Sequence, residues 1–397
     1  MATVAVLGAG AWGTTFAKVL ADAGNSVQVW ARRDEIAREI NETHRNTKYL
    51  QRINLPLNLT ASSSLAVSLA GADAIFLSVP SQSLRVLLED LDGLLGNDVP
   101  VVSLMKGVER ATGLRMSEVI ADAGRVSTDR IAVLSGPNLA LEMAKEEPSA
   151  SVVSSENQEV AAAVASMATN HYFTTLTNND VIGTEFGGVL KNLIAVAVGI
   201  ADGVGYGDNT KASIITRGLA ELAAFAAAYG AKPETMWGLA GLGDLIATCE
   251  SPLSRNNTAG RLLGQGYSYD MVIRQMDQTA EGLSSVDPIL TLAAAKKVSM
   301  PIVSQCCSPL PSACASPKPP ANFSASCKKA PAACCRTSVP TCLTTPRPMP
   351  PTQPPPRPLN TCWAKATKSA SKSGVPSTTR AATRLTATVK SACPKLA

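Results

Sequence analysis

Apolar residues follow two rhythms along this chain. Through residues 1 to 180, short β-branched runs (TVAVLG, SVQVWA, DAIFLSVP, PVVSLMK, IAVLSGP and ASVVSS) alternate with helix-length segments such as 11 to 23, 34 to 46 and 81 to 92. Near-continuous apolar strands set between helices predict a parallel sheet covered on both faces, an α/β fold. After residue 180 the strand runs stop. Residues 181 to 204, 209 to 229, 255 to 264 and 283 to 297 carry helical periodicity instead, which predicts an all-helical carboxyl-terminal domain over 181 to 304. No internal repeat is visible.

Both rhythms end near residue 304, and composition changes with them. From Cys306 onward there is no Asp or Glu, while the stretch holds 13 Lys plus Arg, 9 of the 10 Cys and 17 of the 26 Pro. The formal net charge of +5 is therefore the sum of an acidic body of about −8 and a basic tail. Residues 305 to 397 bury too little apolar surface to offset chain entropy, so the composition predicts disorder. A shifted reading frame in a GC-rich gene would produce such a Pro, Ala, Ser, Arg and Cys mixture. The other reading, a basic arm for nucleic acid or membrane phosphates, is kept as a competitor, and no nucleic-acid partner is expected.

The start MATVAVLGAG has no basic segment followed by an apolar run and a cleavage site, so no secretory signal is expected. No window offers the roughly 18 unbroken apolar residues of a membrane span. Cys249 is the one cysteine of the acidic body, which points to a reducing cytoplasm. With two isolated histidines, His44 and His171, no metal site is expected.

The chemistry begins at VAVLGAGAWGTTFAKVL, where Gly8, Gly10 and Gly13 join a strand to a helix. The first glycine permits a tight turn, the second a close approach to a pyrophosphate, the third close packing of helix on strand. This spacing predicts a dinucleotide site. The second strand ends VWARRDE, placing Arg32 and Arg33 where an acid would grip the ribose of NAD. A guanidinium there pairs with a 2′-phosphate, which favours NADP; the alternative is a solvated charge at a helix start. Lys106 in VVSLMKGVE, and Gly136 and Asn138 in AVLSGPNLALE, follow strands at the carboxyl edge of the sheet, where ligands of open α/β folds gather.

Lys191 is the oddest residue of the chain. It lies in EFGGVLKNLIAVAVGIADG, a run apolar on both helical faces, and a lysine buried there without a partner carries a depressed pKa. Either it faces a cleft and a polar substrate, or it pairs with Glu185 or Asp202 as structural glue. Farther on, GLAGLGDLIATCESPLSRNNTAG sets Asp244 in a tight glycine turn. Ser254, Arg255, Asn256 and Asn257 then gather at a helix start, either as a phosphate site or as an ordinary serine cap.

In order, GAGAWGT, VPSQ, KGVE, LSGPN, GGVLKNLIAVAVGIADG, AGLGDLIATC, SPLSRN and AEG resemble the bacterial NAD(P)-dependent glycerol-3-phosphate dehydrogenase family over residues 1 to about 304. The resemblance implies a Rossmann domain over 1 to 180, a helical domain, a cytoplasmic homodimer, and reversible reduction of dihydroxyacetone phosphate to sn-glycerol 3-phosphate for glycerophospholipid synthesis. It makes Lys191 the catalytic acid/base and Lys106 a contact of both cofactor and substrate. Gly136, Asn138, Asp244, Ser254, Arg255 and Asn256 match substrate positions. Ala11, Trp12, Arg32, Arg33, Tyr49, Lys106, Ala140, Arg255, Thr279 and Glu281 match positions near NADP or NAD. The family usually has Ser where Ala11 stands and Ser or Thr where Asn138 stands, and its final helices, expected after MPIVSQ, are missing. The competing readings are a related oxidoreductase for a hydroxy acid or ketopantoate-like substrate, and a dinucleotide-binding protein impaired by its altered carboxyl terminus.

Overall fold

The computed structural model describes residues 1–96, 98–276 and 281–305, the side chains of Glu281 and Ser284 excepted. Thr279, the Glu281 side chain and the tail from 306 lie outside these residues, together with the expectations attached to them. The described residues all belong to one compact unit.

Eight strands form one sheet: β1 (Thr3–Leu7), β2 (Ser26–Trp30), β3 (Leu59–Ser62), β4 (Ala74–Leu77), β5 (Val101–Ser103), β6 (Ile131–Ser135), β7 (Ser149–Ser155) and β8 (Phe173–Asn178), in the order β3-β2-β1-β4-β5-β6-β7-β8. Alternation along β1 explains its unbroken apolar run. Val4 and Val6 face one core with Phe16, whereas Ala5 and Leu7 face another with Leu84 and Ile120. The strand order reverses between β1 and β4, which opens the crevice where such sheets bind ligands.

The expected parallel sheet is found, with one antiparallel pair near an edge. β7 runs antiparallel to β6, and β8 then lies parallel to β7. Between β6 and β7 the chain holds only the short helix Ala140–Ala144, too little for the usual helical crossover between parallel strands. β3 and β8 were not foreseen. Both are edge strands: LTAS is four residues long, and in FTTLTN only Phe173 is buried. A strand packed on one face needs no long apolar run.

The helical part is built around Val181–Val204. Among the described residues this is the one helix long and apolar enough to cross a membrane, but 83% of its most apolar window is buried inside the protein. Helices Asp208–Ala228, Asp244–Glu250, Arg255–Gly264 and Glu281–Ala295 pack around it. Its first turns are also fixed to the sheet layer. Thr184 Oγ1 and Ser154 Oγ share a hydrogen bond of 2.6 Å, and Glu185 accepts from Ser117 N at 2.8 Å and from the Arg115 guanidinium.

Contact with Arg255–Gly264 is backbone on backbone. A Cβ on Gly260 would stand 2.1 Å from Val196 O, and one on Gly199 would stand 2.2 Å from Asn257 O. Gly260→Val must push the two helices apart, an overpacking cost of about 2 kcal/mol or more that exceeds any gain in helix propensity. Thermal unfolding of that variant is expected to show a melting temperature lower by several degrees.

Candidate functional site

The glycine turn after β1 has the geometry its spacing implies. Gly8 has φ of +124°, and a Cβ there would stand 2.2 Å from Ser78 O beyond β4. Gly13 is equally confined, its hypothetical Cβ falling 2.0 Å from Gly8 O. Gly10 differs: nothing lies within 4 Å of its Cβ position. It is the N-cap of helix Ala11–Asp22, which has neither a side-chain cap nor an acid in its first turn. Uncapped N–H groups beside open space suit a pyrophosphate, so the residues present fit a dinucleotide. Ala11 begins that helix, and Trp12 Nε1 donates to Leu104 O at 3.0 Å, tying the turn to the loop that carries Lys106.

At the end of β2, Arg32 is exposed, and Arg33 Nη2 donates to Tyr49 OH at 3.2 Å. The next acid, Asp34, already accepts from Arg38 Nε at 2.9 Å and Ser63 Oγ at 3.2 Å. Asp34 thus already has two partners of its own.

Lys106 and Lys191 converge on one carboxylate. Lys106 Nζ donates to Asp244 Oδ2 at 2.6 Å and to Gly136 O at 2.9 Å; Lys191 Nζ donates to Asp244 Oδ1 and to Thr248 Oγ1, the latter at 2.9 Å. Neither pairing of the glue alternative occurs. Glu185 is taken by Arg115 and Ser117, and Asp202 lies toward Lys211 and Arg261. Asp244 is also not in a tight turn. It is the first residue of helix Asp244–Glu250, entered through a wide π-helical turn, Leu239–Gly243, of the kind that recurs at functional sites.

Burial is the largest influence on Lys191 and lowers its pKa to about 7; Lys106 pushes the same way and Asp244 opposes both. Neighbouring Cys249 is a buried free thiol whose pKa burial pushes up to about 12, so it is no nucleophile at neutral pH.

The close approach of the two lysines depends on Gly188. A Cβ there would lie 2.9 Å from Ser135 Oγ and 3.2 Å from Lys106 Cγ. The loop holding Lys106 is clamped from the VPSQ segment: Gln82 Nε2 donates to Val108 O at 2.8 Å, and Gln82 Oε1 accepts from Arg110 N at 3.0 Å. Glu109 takes a two-pronged fork from Arg85, at 2.8 and 2.9 Å, which holds its carboxyl below the usual range.

Other expected residues are placed less directly. Gly136 has φ of +148° and presses on Ser151, which a side chain would forbid. Asn138 Oδ1 accepts from Ser151 Oγ, while its Nδ2 is buried without a partner. Ala140 O accepts from Thr15 Oγ1 at 3.1 Å. Ser254 Oγ accepts from Asn257 N at 3.2 Å, so it does cap its helix. Asn256 Oδ1 accepts from Gly282 N at 3.0 Å, joining that helix to the one beginning at Glu281, while Arg255 is exposed. One residue of the cluster was missed, Thr248. Thr248 stands four residues after Asp244, on the same helical face, and that spacing was the available signal.

A glycine-turn sheet with a lysine pair at its carboxyl edge defines a class, the nicotinamide-dinucleotide oxidoreductases. Comparison with known proteins makes the assignment specific. Residues 3–161 match the family described as NAD-dependent glycerol-3-phosphate dehydrogenase N-terminus, and residues 180–311 match its C-terminus. Glycerol-3-phosphate dehydrogenase [NAD(P)+] of Leifsonia xyli subsp. xyli is 66% identical over 300 residues, 76% of this chain and 81% of that protein. Its counterpart from Streptomyces griseus is 53% identical over 298 residues, 75% of this chain and 89% of that protein. The crystal structure of glycerol-3-phosphate dehydrogenase from Coxiella burnetii superposes with a TM-score of 0.73 at 35% identity, covering 77% of this chain and 93% of that one. The chain belongs to the NAD-dependent glycerol-3-phosphate dehydrogenase family.

The opposing pulls on Lys191 give a signed expectation. Asp244→Asn removes the charge that favours the ammonium, so the Lys191 pKa falls below its value of about 7. Titration of the Lys191 amine, followed by NMR of the isotope-labelled lysine, should show its midpoint displaced to lower pH in that variant.

Proposed function

We propose that this chain catalyses the reversible reduction of dihydroxyacetone phosphate to sn-glycerol 3-phosphate with NADPH or NADH. Residues 1 to 180 bind the dinucleotide, and residues 181 to 304 supply most of the substrate site. The observation that carries the reading is the shared Asp244 carboxylate, which brings Lys106 and Lys191 together at the sheet edge beside the glycine turn. Family membership does not favour the hydroxy-acid or ketopantoate-like alternative.

When bound, the nicotinamide would supply the hydride that reduces the ketone carbon. Negative charge then grows on the carbonyl oxygen, and the Lys191 ammonium stabilises that charge and gives up its proton there. A pKa of about 7 suits both directions, since the lysine can donate in reduction and accept in oxidation. Lys106, held by Gly136 O and Asp244, keeps a second positive group beside the oxygen. Gly136, Asn138, Ser254, Arg255 and Asn256 bind the rest of the substrate, with Arg255 on the phosphate, so a group that does not react supplies orientation.

Gly8, Gly10, Ala11, Trp12, Gly13, Arg32, Arg33, Tyr49, Lys106, Ala140 and Arg255 contact the dinucleotide, and the family resemblance adds Thr279 and Glu281. Arg32 and the Arg33–Tyr49 pair favour NADP over NAD, which comparison of NADPH and NADH as reductants reads directly. The protein works as a homodimer in the cytoplasm.

Lys191→Ala should abolish NADPH oxidation by dihydroxyacetone phosphate while NADPH binding persists; near-normal turnover refutes the reading. In the unaltered protein, reduction should weaken as pH rises through about 7, where the ammonium is lost, and oxidation of glycerol 3-phosphate should strengthen over the same range. NADPH binding without turnover in the unaltered chain would instead favour a dinucleotide-binding protein impaired by its carboxyl terminus.

A further inference from the structure

The glycine turn is gripped from behind by a residue that no motif singles out. Asn46 follows helix Asp34–Thr43 and is fully buried. Its Nδ2 donates to Ala9 O at 3.0 Å and to Thr14 Oγ1 at 2.8 Å. Ala9 lies within the turn and Thr14 in the helix that follows it, so a single amide holds both. The main chain of Asn46 reaches the other way. Asn46 O accepts from Tyr49 N at 3.1 Å and from Leu50 N at 2.8 Å, and Tyr49 OH is the partner of Arg33.

The Ala9–Gly10 peptide is trans, and across a trans peptide the carbonyl and the N–H point in opposite directions. Holding Ala9 O against Asn46 therefore aims the Gly10 N–H away from Asn46. Gly10 borders open space, and an N–H fixed there is a ready donor to an anion.

The amide is oriented for donation at the expense of its acceptor. Both Nδ2 hydrogens are used, while Asn46 Oδ1 is buried with no partner. The flipped amide would set Oδ1 against Ala9 O, acceptor against acceptor, which is repulsive. A side chain present only to fill space would not carry an unpaired buried acceptor.

We propose that Asn46 is a positioning residue for the dinucleotide. It orients the peptide that meets the pyrophosphate and locks that peptide to the Arg33–Tyr49 pair that meets the 2′-phosphate. Asn46 itself touches neither group. The inference rests on reading the glycine turn as the dinucleotide site, and it adds one residue and a coupling between the two ends of the groove.

The test uses the full-length chain, titrated with NADPH and with NADH by fluorescence, with folding checked by circular dichroism. Asn46→Asp keeps the shape and removes both donors. NADPH affinity should fall about tenfold or more, the scale of a lost hydrogen bond to a charged group. NADH affinity should fall less, because NADH has no 2′-phosphate to lose. The KM for the dinucleotide should rise far more than the KM for dihydroxyacetone phosphate, with kcat much less affected, a split that general destabilisation does not produce. Unchanged NADPH affinity in folded Asn46→Asp overturns the proposal, as does an equal loss for both dinucleotides and the substrate. Should that variant not fold, Thr14→Val carries the test, since it removes one of the amide's two acceptors. A several-fold loss of NADPH affinity is expected there, and no loss overturns the proposal. An unaltered chain that binds neither dinucleotide refutes the proposed function, whereas normal binding with unchanged variants refutes this inference alone.

Discussion

Two ammonium groups share one buried carboxylate, and the arrangement of the protein follows from that constraint. Asp244 is almost wholly removed from water and faces Lys106 on one oxygen and Lys191 on the other. Charges out of water are tolerated only when paired and hydrogen-bonded. The three side chains come from distant parts of the chain, the loop after β5, the middle of the long central helix and the start of Asp244–Glu250. Folding must therefore bring the sheet edge and two helices together closely enough for the set to form.

Small residues make that closeness possible. Gly188 admits the Lys106 stem against the central helix, and Gly187 admits Ala240 O from the π-helical turn ahead of Asp244. On the far half of the same helix, Gly199, with Gly260 facing it from the other side of the contact, lets in the helix that presents Arg255. Around them the polar supports are paired: the Arg85–Glu109 fork holds one lysine's loop, and Arg115 and Ser117 hold Glu185, less than two turns before the other lysine. Positions set by packed backbone and paired charges suit the role of proton donor proposed for Lys191.

The parts legible in the sequence share a property: their cause is local. The strands of the sheet centre could be read because burial on both faces demands an unbroken apolar run, as in TVAVL. Edge strands β3 and β8 lack that demand, and their alternating or threonine-rich sequences hid them. The reversal of β7 was not visible either, since direction is set by the connection and not by strand composition. In the site, Gly8 and Gly13 declared themselves because no other residue fits their places, and Gly136 by its place after a strand. Thr248 and Asn46 did not, because each acts through an atom contributed by a remote segment.

Lys191 marks the boundary between the two kinds of information. Its anomaly, a lysine in a run apolar on every face, was fixed by local sequence, and from that alone followed a buried amine with a depressed pKa. What balances the amine was not there to read. Glu185 and Asp202 are near it along the chain but are committed to Arg115 and to the neighbourhood of Lys211, whereas Asp244 reaches it from another helix. Helical periodicity specifies which residues share a face. Only tertiary packing decides which carboxylate meets that face, because an ion pair is selected by distance in space and by exclusion of water, neither of which is a property of spacing along the chain.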